Sequence, residues 1–298
     1  MVELSIIIVN YNTGEYLSRC IKSIIENGYS LDKIQIIIID NNSKDNSIKL
    51  AKQIFKKYNA KFKLIENSSN IGFSKAVNIG IDLSIGKYIC ILNPDTYIEK
   101  KCYSSLIDYM TLNENIGCIT PKIVNSNGQL QISCKRSLPT IKNSFCKFTK
   151  LDKIFSNNEI ISDYNLLYLD EDKIAQVDVI SGAFMLIKSD VINKVGKFDE
   201  DFYLYGEDID YCKRMKLHNF KIIYFPLAKA IHYKGKSAES HPFAAVYHFH
   251  SSMIKYFKKY RNENNSWKFS FYLIIVFITI KKYLSYLNLV YKNSFKLK

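Results

Sequence analysis

Two groups of side chains in this 298-residue chain could take part in chemistry. The first is Asp95, which follows the apolar run Tyr88–Leu92 and the dipeptide Asn93-Pro94. Proline cannot donate a hydrogen bond to a sheet, so Pro94 ends the strand and leaves Asp95 just beyond its carboxyl end. Ligands bind at that edge in open α/β sheets, and a carboxylate there suits a divalent cation that carries phosphates. An ordinary aspartate in a turn would show the same local pattern.

The second group is a run of acidic side chains within an otherwise basic protein. Like charges held close together raise one another's pKa, which suits a general base. Glu207 and Asp208 open a predicted helix that runs to about Leu217, where acidic residues are also expected from the helix dipole alone. Both interpretations stay open from these residues. The run consists of Asp199, Glu200, Asp201, Glu207, Asp208 and Asp210.

The elements that would hold Asp95 alternate between strand and helix patterns. Such alternation is typical of a parallel sheet with right-handed βαβ connections. Asn12 or Thr13 could cap the first of the helices. The predicted strands are residues 4–9, 36–39, Phe62–Glu66 and Tyr88–Leu92, and the predicted helices between them are residues 15–26, a segment ending near 58, and residues 74–83.

Polar residues follow three of these strands, at positions 10–12, 40–43 and 93–95. The carboxyl ends of parallel strands meet at one edge of a sheet, so these residues predict a site of nucleotide size. Asp40 could accept a hydrogen bond from a pyrimidine N3–H, or it could cap the helix that follows. The chain has neither a G-x-G-x-x-G motif after the first strand nor a Walker lysine motif. A metal ion would therefore have to carry the diphosphate.

Short motifs extend this pattern along the chain, at residues 5–12, 40–45, 70–80, 92–96, 181–184 and 198–210. In this order they resemble the family 2 glycosyltransferases, and most closely a bacterial rhamnosyltransferase-like branch. The resemblance covers roughly residues 3–240. It implies a GT-A fold, which is a Rossmann-like, mostly parallel sheet flanked by helices. It also implies a nucleotide-diphosphate sugar donor, a divalent cation (Mg²⁺ or Mn²⁺) and inversion at the anomeric carbon.

The resemblance assigns metal binding to Asp95 and His232, and the general base to Asp208, with Glu207 orienting the acceptor. Asp210 is the alternative base. Asn93 stands where many relatives carry the first aspartate of an Asp-x-Asp motif, so one metal contact is lost or made through water. The residues expected to bind the donor are Asn10, Asn12, Asp40, Asn42, Ser43, Asn70, Gly72, Phe73, Asn78, Asn93, Gly182, Ala183 and Lys236.

The middle and the end of the chain lack strong motifs. Between residues 126 and 172 the pattern weakens, which predicts an insertion or a mobile loop over the acceptor side, either with or without a role in specificity. Residues 244–260 read as a basic helix. Residues 269–280 are uncharged but shorter than the roughly 20 residues that span a bilayer, and Lys281-Lys282 interrupt the run before residues 283–291.

This C-terminal pattern predicts a helix lying in an anionic membrane interface. Packing on the domain, a dimer contact or a tilted span are alternatives. The domain division expected is therefore residues 1–243 for the transferase domain and residues 244–298 for the tail. The sequence does not indicate an oligomeric state.

Composition agrees with a membrane partner. The net charge of +14 indicates an anionic partner, such as nucleic acid, an anionic membrane or phosphorylated substrates, and its concentration between residues 255 and 298 favours a membrane surface over nucleic acid. Seven cysteines without a C-x-x-C pair indicate reduced thiols, and no signal peptide is evident. These features predict a cytoplasmic protein that is peripheral at the inner face of the cell membrane.

The predicted function is transfer of one sugar in cell-surface polysaccharide synthesis, from dTDP-rhamnose first or a UDP-hexose next, to a saccharide or lipid-linked saccharide. Processive synthases usually carry a Gln-Arg-Trp motif after the base, whereas Trp267 is the only tryptophan here. An alternative is a non-catalytic nucleotide-sugar-binding partner, which would keep Asp40 and Asp95 without needing Asp208. A nucleotidyltransferase would need a glycine- and arginine-rich loop that residues 10–14 do not supply.

Overall fold

The computed structural model describes residues 1–233, 242–261 and 268–296, so the predicted donor ligand Lys236 lies outside the described residues. Four parallel strands form the first half of the sheet: β1 (Leu4–Asn10), β2 (Ile34–Asp40), β3 (Phe62–Glu66) and β4 (Tyr88–Leu92). Their order is β3-β2-β1-β4. β1 and β4 are buried along their whole length, as expected for parallel strands covered on both faces.

Three helices connect these strands: α1 (Glu15–Ile25), α2 (Ser47–Lys57) and α3 (Phe73–Leu83). The predicted side-chain cap of α1 is wrong. The helix begins after Gly14, which has a φ of 57° and makes no side-chain capping bond. The Thr13 hydroxyl instead donates to Asn10 Oδ1 at 2.5 Å, and this bond ties the start of α1 to the end of β1.

The second half of the sheet is mixed. Its order continues β4-β10-β6-β11-β5, with β10 antiparallel to both β4 and β6. The chain enters β10 through a tight turn at residues 181–183. The elements of this part of the chain are β5 (Thr96–Ile98), α4 (Cys102–Leu112), β6 (Ile116–Val124), β7 (Lys135–Arg136), β8 (Ala175–Val177), β9 (Val179–Ile180), β10 (Phe184–Lys188) and β11 (Lys221–His232). β8 pairs with β11, whereas β7 and β9 pair with each other in a separate two-stranded sheet.

The segment 126–172 is folded, so the expectation of a mobile loop is wrong. It contains β7 and two helices, α5 (Ile141–Phe148) and α6 (Leu151–Ile154). Thr140 caps α5 in a capping box with Asn143. Lys135 and Arg136 are almost completely buried, so this segment reaches into the body of the domain.

Two further helices and a long strand complete the domain. α7 (Ser189–Val195) ends before Gly196, which has a positive φ of 86°. α8 (Glu207–Leu217) begins at the predicted acidic pair. β11 is a single strand with a register shift between Phe225 and Lys229.

The C-terminal tail consists of α9 (Pro242–Lys259) and α10 (Lys268–Lys296). A small hydrophobic cluster joins both helices to Phe202 of the domain through Tyr256, Phe257, Ile274 and Ile278. α10 continues through Lys281 and Lys282. Among the described helices, the stretch Phe271–Tyr291 is long and apolar enough to cross a membrane. This stretch includes the two lysines and is longer than the uncharged run 269–280, so a tilted span stays open beside the interfacial helix.

Candidate active site

Asn10 and Asp40 stand side by side at the carboxyl ends of β1 and β2, paired in register. The Asn10 amide donates to Asp40 Oδ1 at 2.7 Å and to the hydroxyls of Ser43 and Ser47 at 3.0 and 2.9 Å. Ser43 donates its hydroxyl to Asp40 Oδ1 at 2.6 Å and its main-chain N–H to Oδ2 at 2.9 Å. Within the described residues, Asp40 Oδ2 accepts one hydrogen bond, from the Ser43 N–H, and keeps a lone pair toward a ligand.

The loops beyond these strands are held by asparagines in the left-handed region, with φ of 51° at Asn12 and 64° at Asn42. Asparagine tolerates this conformation better than other non-glycine residues. Asn12 Oδ1 accepts from the Lys44 main-chain N–H at 2.7 Å, and the Asn42 amide donates to the Ser68 carbonyl at 3.0 Å. Asp40 lies seven residues before α2 begins, so it does not cap that helix.

Residues 70–73 form the third polar element at this edge. Gly72 has a φ of 90°, and a Cβ atom there would lie 2.7 Å from the Tyr203 ring, so the position requires glycine. The Phe73 N–H donates to the Tyr203 carbonyl at 2.7 Å, and the Tyr203 hydroxyl donates to the Asn70 carbonyl at 3.2 Å. The predicted donor loop therefore packs directly on the segment that precedes α8.

Asn78, also predicted to bind the donor, lies within α3 and is buried. Its amide group donates to the Phe198 carbonyl at 2.9 Å and to Glu200 at 3.0 Å, and its oxygen accepts the Phe198 N–H at 3.0 Å. All these bonds lie within the protein. In this structure Asn78 joins α3 to the 198–202 segment.

Asp95 and His232 meet at the centre of the site, although they lie 137 residues apart. Asp95 follows β4 and His232 ends β11, where it pairs with Thr96 of β5. His232 Nε2 lies 3.0 Å from Asp95 Oδ1 and 3.3 Å from the Asn93 amide nitrogen. Both side chains are about nine-tenths buried. The two residues predicted to bind a metal are therefore neighbours.

This pair fits a divalent cation. A carboxylate oxygen and a ring nitrogen at 3.0 Å need a proton or a cation between them, because both are electron-pair donors. Two ligands at about 2.1 Å from one octahedral ion would also lie about 3.0 Å apart. Within the described residues no set of three histidine, cysteine or acidic side chains converges. The remaining ligands would then come from phosphate oxygens and water, as is usual for Mg²⁺.

The turn at residues 181–183 links this pair to the acidic residues of α8. The Asn93 N–H donates to the Ala183 carbonyl at 3.0 Å, and the Gly182 N–H donates to Asp208 Oδ2 at 3.3 Å. A Cβ atom on Gly182 would lie 3.7 Å from Glu207 Oε1. Gly182 and Ala183, the small residues predicted to line the site, therefore lie between the Asp95–His232 pair and the carboxylates of α8.

Asp208 is held by three donors. Arg136 Nη2 donates to its Oδ2 at 2.5 Å, Gly182 donates to the same oxygen, and the Ile209 N–H donates to Oδ1 at 2.8 Å. Sequence reasoning missed this role of Arg136, which lies in the segment predicted as a loop. Nothing in the local pattern around Arg136 connects it with a residue 72 positions later.

Glu207 differs from Asp208 in its hydrogen bonding. It is buried, and its Oε2 atom has no hydrogen-bond partner among the residues that the structure describes. Burial, reinforced by the nearby charge of Asp208, raises the pKa of Glu207 to about 8. A buried carboxyl group with an unpaired oxygen can form a hydrogen bond with a substrate hydroxyl.

The other acidic residues of the run do not behave as predicted. Burial opposes ionisation of Asp199, but hydrogen bonds from Lys259 and the Asp201 N–H outweigh it and lower the pKa of Asp199. Asp210 is fully buried, bound by Arg214 at 2.9 Å and Tyr260 at 2.7 Å. Arg214 and Lys259 therefore supply cations to these two carboxylates.

Such an arrangement, with a nucleotide-sized polar edge, a carboxylate–histidine pair and buried acids opposite, is typical of enzymes that transfer sugars from nucleotides. Solved structures share the fold. A mannosyltransferase of Pyrobaculum calidifontis in complex with GDP-Man and Mn²⁺ aligns with a TM-score of 0.62 at 12% identity, over 95% of this chain and 71% of that one. Staphylococcus aureus TarS aligns with a TM-score of 0.59 at 14% identity, over 88% and 40%. These likenesses confirm the predicted GT-A fold.

The model of the family "Glycosyl transferase family 2" matches residues 5–174. The chain therefore belongs to glycosyl transferase family 2, and it is a glycosyltransferase. An N-acetylglucosaminyl-diphospho-decaprenol L-rhamnosyltransferase of Mycobacterium tuberculosis is 22% identical over 84% of this chain and 82% of its own length. A poly-β-1,6-N-acetyl-D-glucosamine synthase of Staphylococcus epidermidis is 26% identical over 76% of this chain, which spans 48% of that synthase.

Proposed function

We propose that this glycosyltransferase moves a single sugar from a nucleoside-diphosphate sugar to a hydroxyl group of a saccharide or lipid-linked saccharide, with inversion, in cell-surface polysaccharide synthesis. The observation that carries the proposal is the continuous set of contacts from Asp208, through the turn at 182–183 and Asn93, to His232 and Asp95. These contacts support a site in which the acceptor is activated beside Asp208, on one side of the turn at 182–183. The diphosphate would leave beside Asp95 and His232, on the other side.

Thymidine-diphosphate rhamnose is the donor we favour, and a uridine-diphosphate hexose is the next candidate. The relative from M. tuberculosis is named as a rhamnosyltransferase and matches most of this chain, which supports the first choice. The free lone pair on Asp40 Oδ2 can accept the N3–H of either uracil or thymine, so it supports a pyrimidine without choosing between the two.

The chemistry divides between the two sides of the turn. Asp95 and His232 would hold a divalent cation, Mg²⁺ or Mn²⁺, that neutralises the charge developing on the leaving diphosphate. Asp208, oriented by Arg136 and two main-chain N–H groups, removes the proton from the acceptor hydroxyl. That oxygen attacks the anomeric carbon from the face opposite the diphosphate, and one displacement inverts the configuration. Glu207 Oε2 would orient the acceptor hydroxyl.

We further propose that α10 lies in the membrane interface at the cytoplasmic face. Ile274 and Ile278 pack on the domain, whereas the outward side of the helix exposes a continuous apolar face. One packed side and one apolar side suit a helix lying in the interface, and nearby lysines suit anionic lipid. The exposed residues are Tyr272, Leu273, Val276, Ile280, Tyr283, Leu284, Leu287, Val290 and Tyr291. Flotation with phosphatidylglycerol vesicles, lost on Ile280→Asp with Leu284→Asp, tests this placement.

The experiment that tests the function is release of nucleoside diphosphate from a panel of thymidine- and uridine-diphosphate sugars, with and without membrane lipid extract. Each donor is assayed with Mg²⁺, Mn²⁺ or EDTA, for the wild type and for Asp208→Asn. We expect one sugar to turn over, metal to be required, and Asp208→Asn to reduce the rate by about 10²–10⁴-fold. Metal-dependent donor binding without turnover in lipid extract, unchanged by Asp208→Asn, would instead identify a non-catalytic donor-binding protein.

A further inference from the structure

Gln131 occupies a fixed position between β6 and the folded segment that follows it. Its main-chain N–H donates to the Ile123 carbonyl at 2.9 Å, and its carbonyl accepts the Cys134 N–H at 2.8 Å. The residue is only 4% exposed. A glutamine held in this way has little rotational freedom, so the direction of its amide group is a property of the fold.

That amide group makes two hydrogen bonds to a single residue, His232. Gln131 Nε2 donates to the His232 carbonyl at 2.7 Å, and Gln131 Oε1 lies 2.9 Å from His232 Nδ1. The carbonyl can only accept, so the NH₂ of the amide must face it, and the amide oxygen must then face the ring. An oxygen in this position requires Nδ1 to carry a hydrogen.

The ring nitrogen on the other side is the one that faces Asp95. With the hydrogen of a neutral imidazole on Nδ1, Nε2 carries the lone pair, and Nε2 lies 3.0 Å from Asp95 Oδ1. The Asn93 amide at 3.3 Å is a donor toward the same lone pair. The tautomer selected by Gln131 is therefore the one that can ligate a cation through Nε2.

We propose that Gln131 is the positioning residue of the cation site: it fixes the tautomer and the ring orientation of His232 so that Nε2 is presented beside Asp95. The inference rests on the cation site within the proposed function and adds a residue outside all the motifs of the sequence. Partners of this kind, which bind the second nitrogen of a ligating histidine, change metal affinity by about 10–100-fold when removed.

Two substitutions separate this role from simple support of β11. Gln131→Met fills similar space and loses both hydrogen bonds. Gln131→Glu, studied at pH 8 as the carboxylate, keeps an oxygen toward Nδ1–H but cannot donate to the His232 carbonyl. Support of the strand would be lost in both variants, whereas orientation of the ring would be lost only in the first. Gln129→Glu, at an exposed position two residues earlier, controls for the added charge.

The test is Mn²⁺ binding to the full chain, followed by electron paramagnetic resonance with and without UDP, and needs no turnover. We expect Gln131→Met to weaken binding about 10–100-fold, while Gln131→Glu and Gln129→Glu bind within about threefold of the wild type. Long-range ¹⁵N NMR, with the His232 signal assigned by its loss in His232→Ala, should show hydrogen on Nδ1 in the wild type without metal.

The outcomes are distinguishable. Wild-type affinity in Gln131→Met, equal losses in Gln131→Met and Gln131→Glu, or an Nδ1 without hydrogen in the wild type would each overturn the role of Gln131. If Mn²⁺ binding depends on Asp95 and His232 in the same experiment, the cation site of the proposed function survives that result. If Asp95→Ala binds Mn²⁺ as well as the wild type, the cation site fails and the inference fails with it.

Discussion

The donor edge, formed by Asn10, Asp40 and Ser43, and the acid cluster, formed by Arg136, Glu207 and Asp208, are built in opposite ways. Partners at the donor edge are about 30 residues apart, because they end strands joined by one helix. In the acid cluster, Arg136 and Asp208 are 72 residues apart and come from unrelated elements. The first region follows from the order of strands, whereas the second depends on how a distant segment folds back.

The two regions also differ in how their polar groups are satisfied. Asp40 is held by Asn10 and Ser43, and this network is nearly complete without a ligand. Glu207 keeps an unpaired Oε2 atom within the described part of the chain, and its pKa is raised to about 8. A completed network favours rigid recognition of a base, while an unpaired buried oxygen keeps a hydrogen-bonding position for a substrate hydroxyl.

The largest effect is expected from Arg136→Met, which leaves Asp208 and Glu207 buried without their cation. Removal of one partner from a buried pair costs about 3–5 kcal/mol, because the remaining charge is left uncompensated. Urea unfolding should show this loss. The double variant Arg136→Met with Asp208→Asn should recover most of it, since both charges are then gone. Additive losses in the double variant would show that the two residues act independently.

Glu207→Gln should change how stability depends on pH. The pKa of Glu207 is about 8 in the folded protein against an ordinary 4.5. The folded state therefore binds one more proton than the unfolded state between these values, and its stabilising contribution is lost as pH rises toward 8. Wild-type unfolding free energy should fall more steeply than that of Glu207→Gln, by up to about 1.4 kcal/mol per pH unit.

Unfolding curves in urea at half-unit steps from pH 5 to 8.5 measure this difference. Glu159→Gln, at an exposed position, provides a matched control that removes a carboxyl group without removing a buried one. Parallel curves for the wild type and Glu207→Gln would contradict the raised pKa. They would also remove the main physical difference between the acid cluster and the donor edge.

Asp40→Asn should weaken donor binding without abolishing transfer. The change removes a charged acceptor for the base N–H, an interaction worth about 1.5–3 kcal/mol, so donor KM should rise roughly 10- to 100-fold while kcat changes little. Steady-state kinetics with varied donor measure this split. Asp45→Asn is the control, because Asp45 lies in the same loop but accepts from the Gly14 N–H and from Ser47. A fall in kcat with unchanged KM would place Asp40 in the chemical step.

The contrast between the regions also explains what could be predicted from the sequence. The strands from Leu4 to Leu92 and the polar residues after them were predictable, because apolar runs and turn residues are local signals. The meeting of Asp95 with His232 was predicted from the family resemblance, and no local signal supports it. The donor roles of residues such as Asn42 and Phe73 remain predictions.

What sequence reasoning missed lies in the segment 126–172. Gln131 and Arg136 gain their roles from tertiary contacts with His232 and Asp208, more than 70 residues away. No periodic pattern records such contacts. In the tail, Lys281 and Lys282 interrupt the uncharged run of the sequence, but α10 continues through them, because a helix can carry lysines whose side chains lie off its apolar face.

Two glycines give the smallest effects and the most direct comparison of the two regions. Gly72, in the donor loop, has a φ of 90° and no room beside Tyr203, so Gly72→Ala should cost about 1–3 kcal/mol of folding stability. Gly182, beside the acid cluster, has room, since an added Cβ would lie 3.7 Å from Glu207 and 3.8 Å from Asp208. Gly182→Ala should therefore leave stability within about 0.5 kcal/mol of the wild type.

The methyl group of Gly182→Ala would instead occupy space beside the carboxylates that we assign to the acceptor. One added methyl group in a fitted site costs about 10-fold or more in kcat/KM, and the loss should appear when the acceptor is varied, not the donor. Thermal unfolding and acceptor kinetics on the two variants measure both effects. Equal acceptor kinetics in Gly182→Ala and the wild type would mean that the acceptor does not bind beside Gly182. That result would count against the proposal that the acceptor binds at the acid cluster.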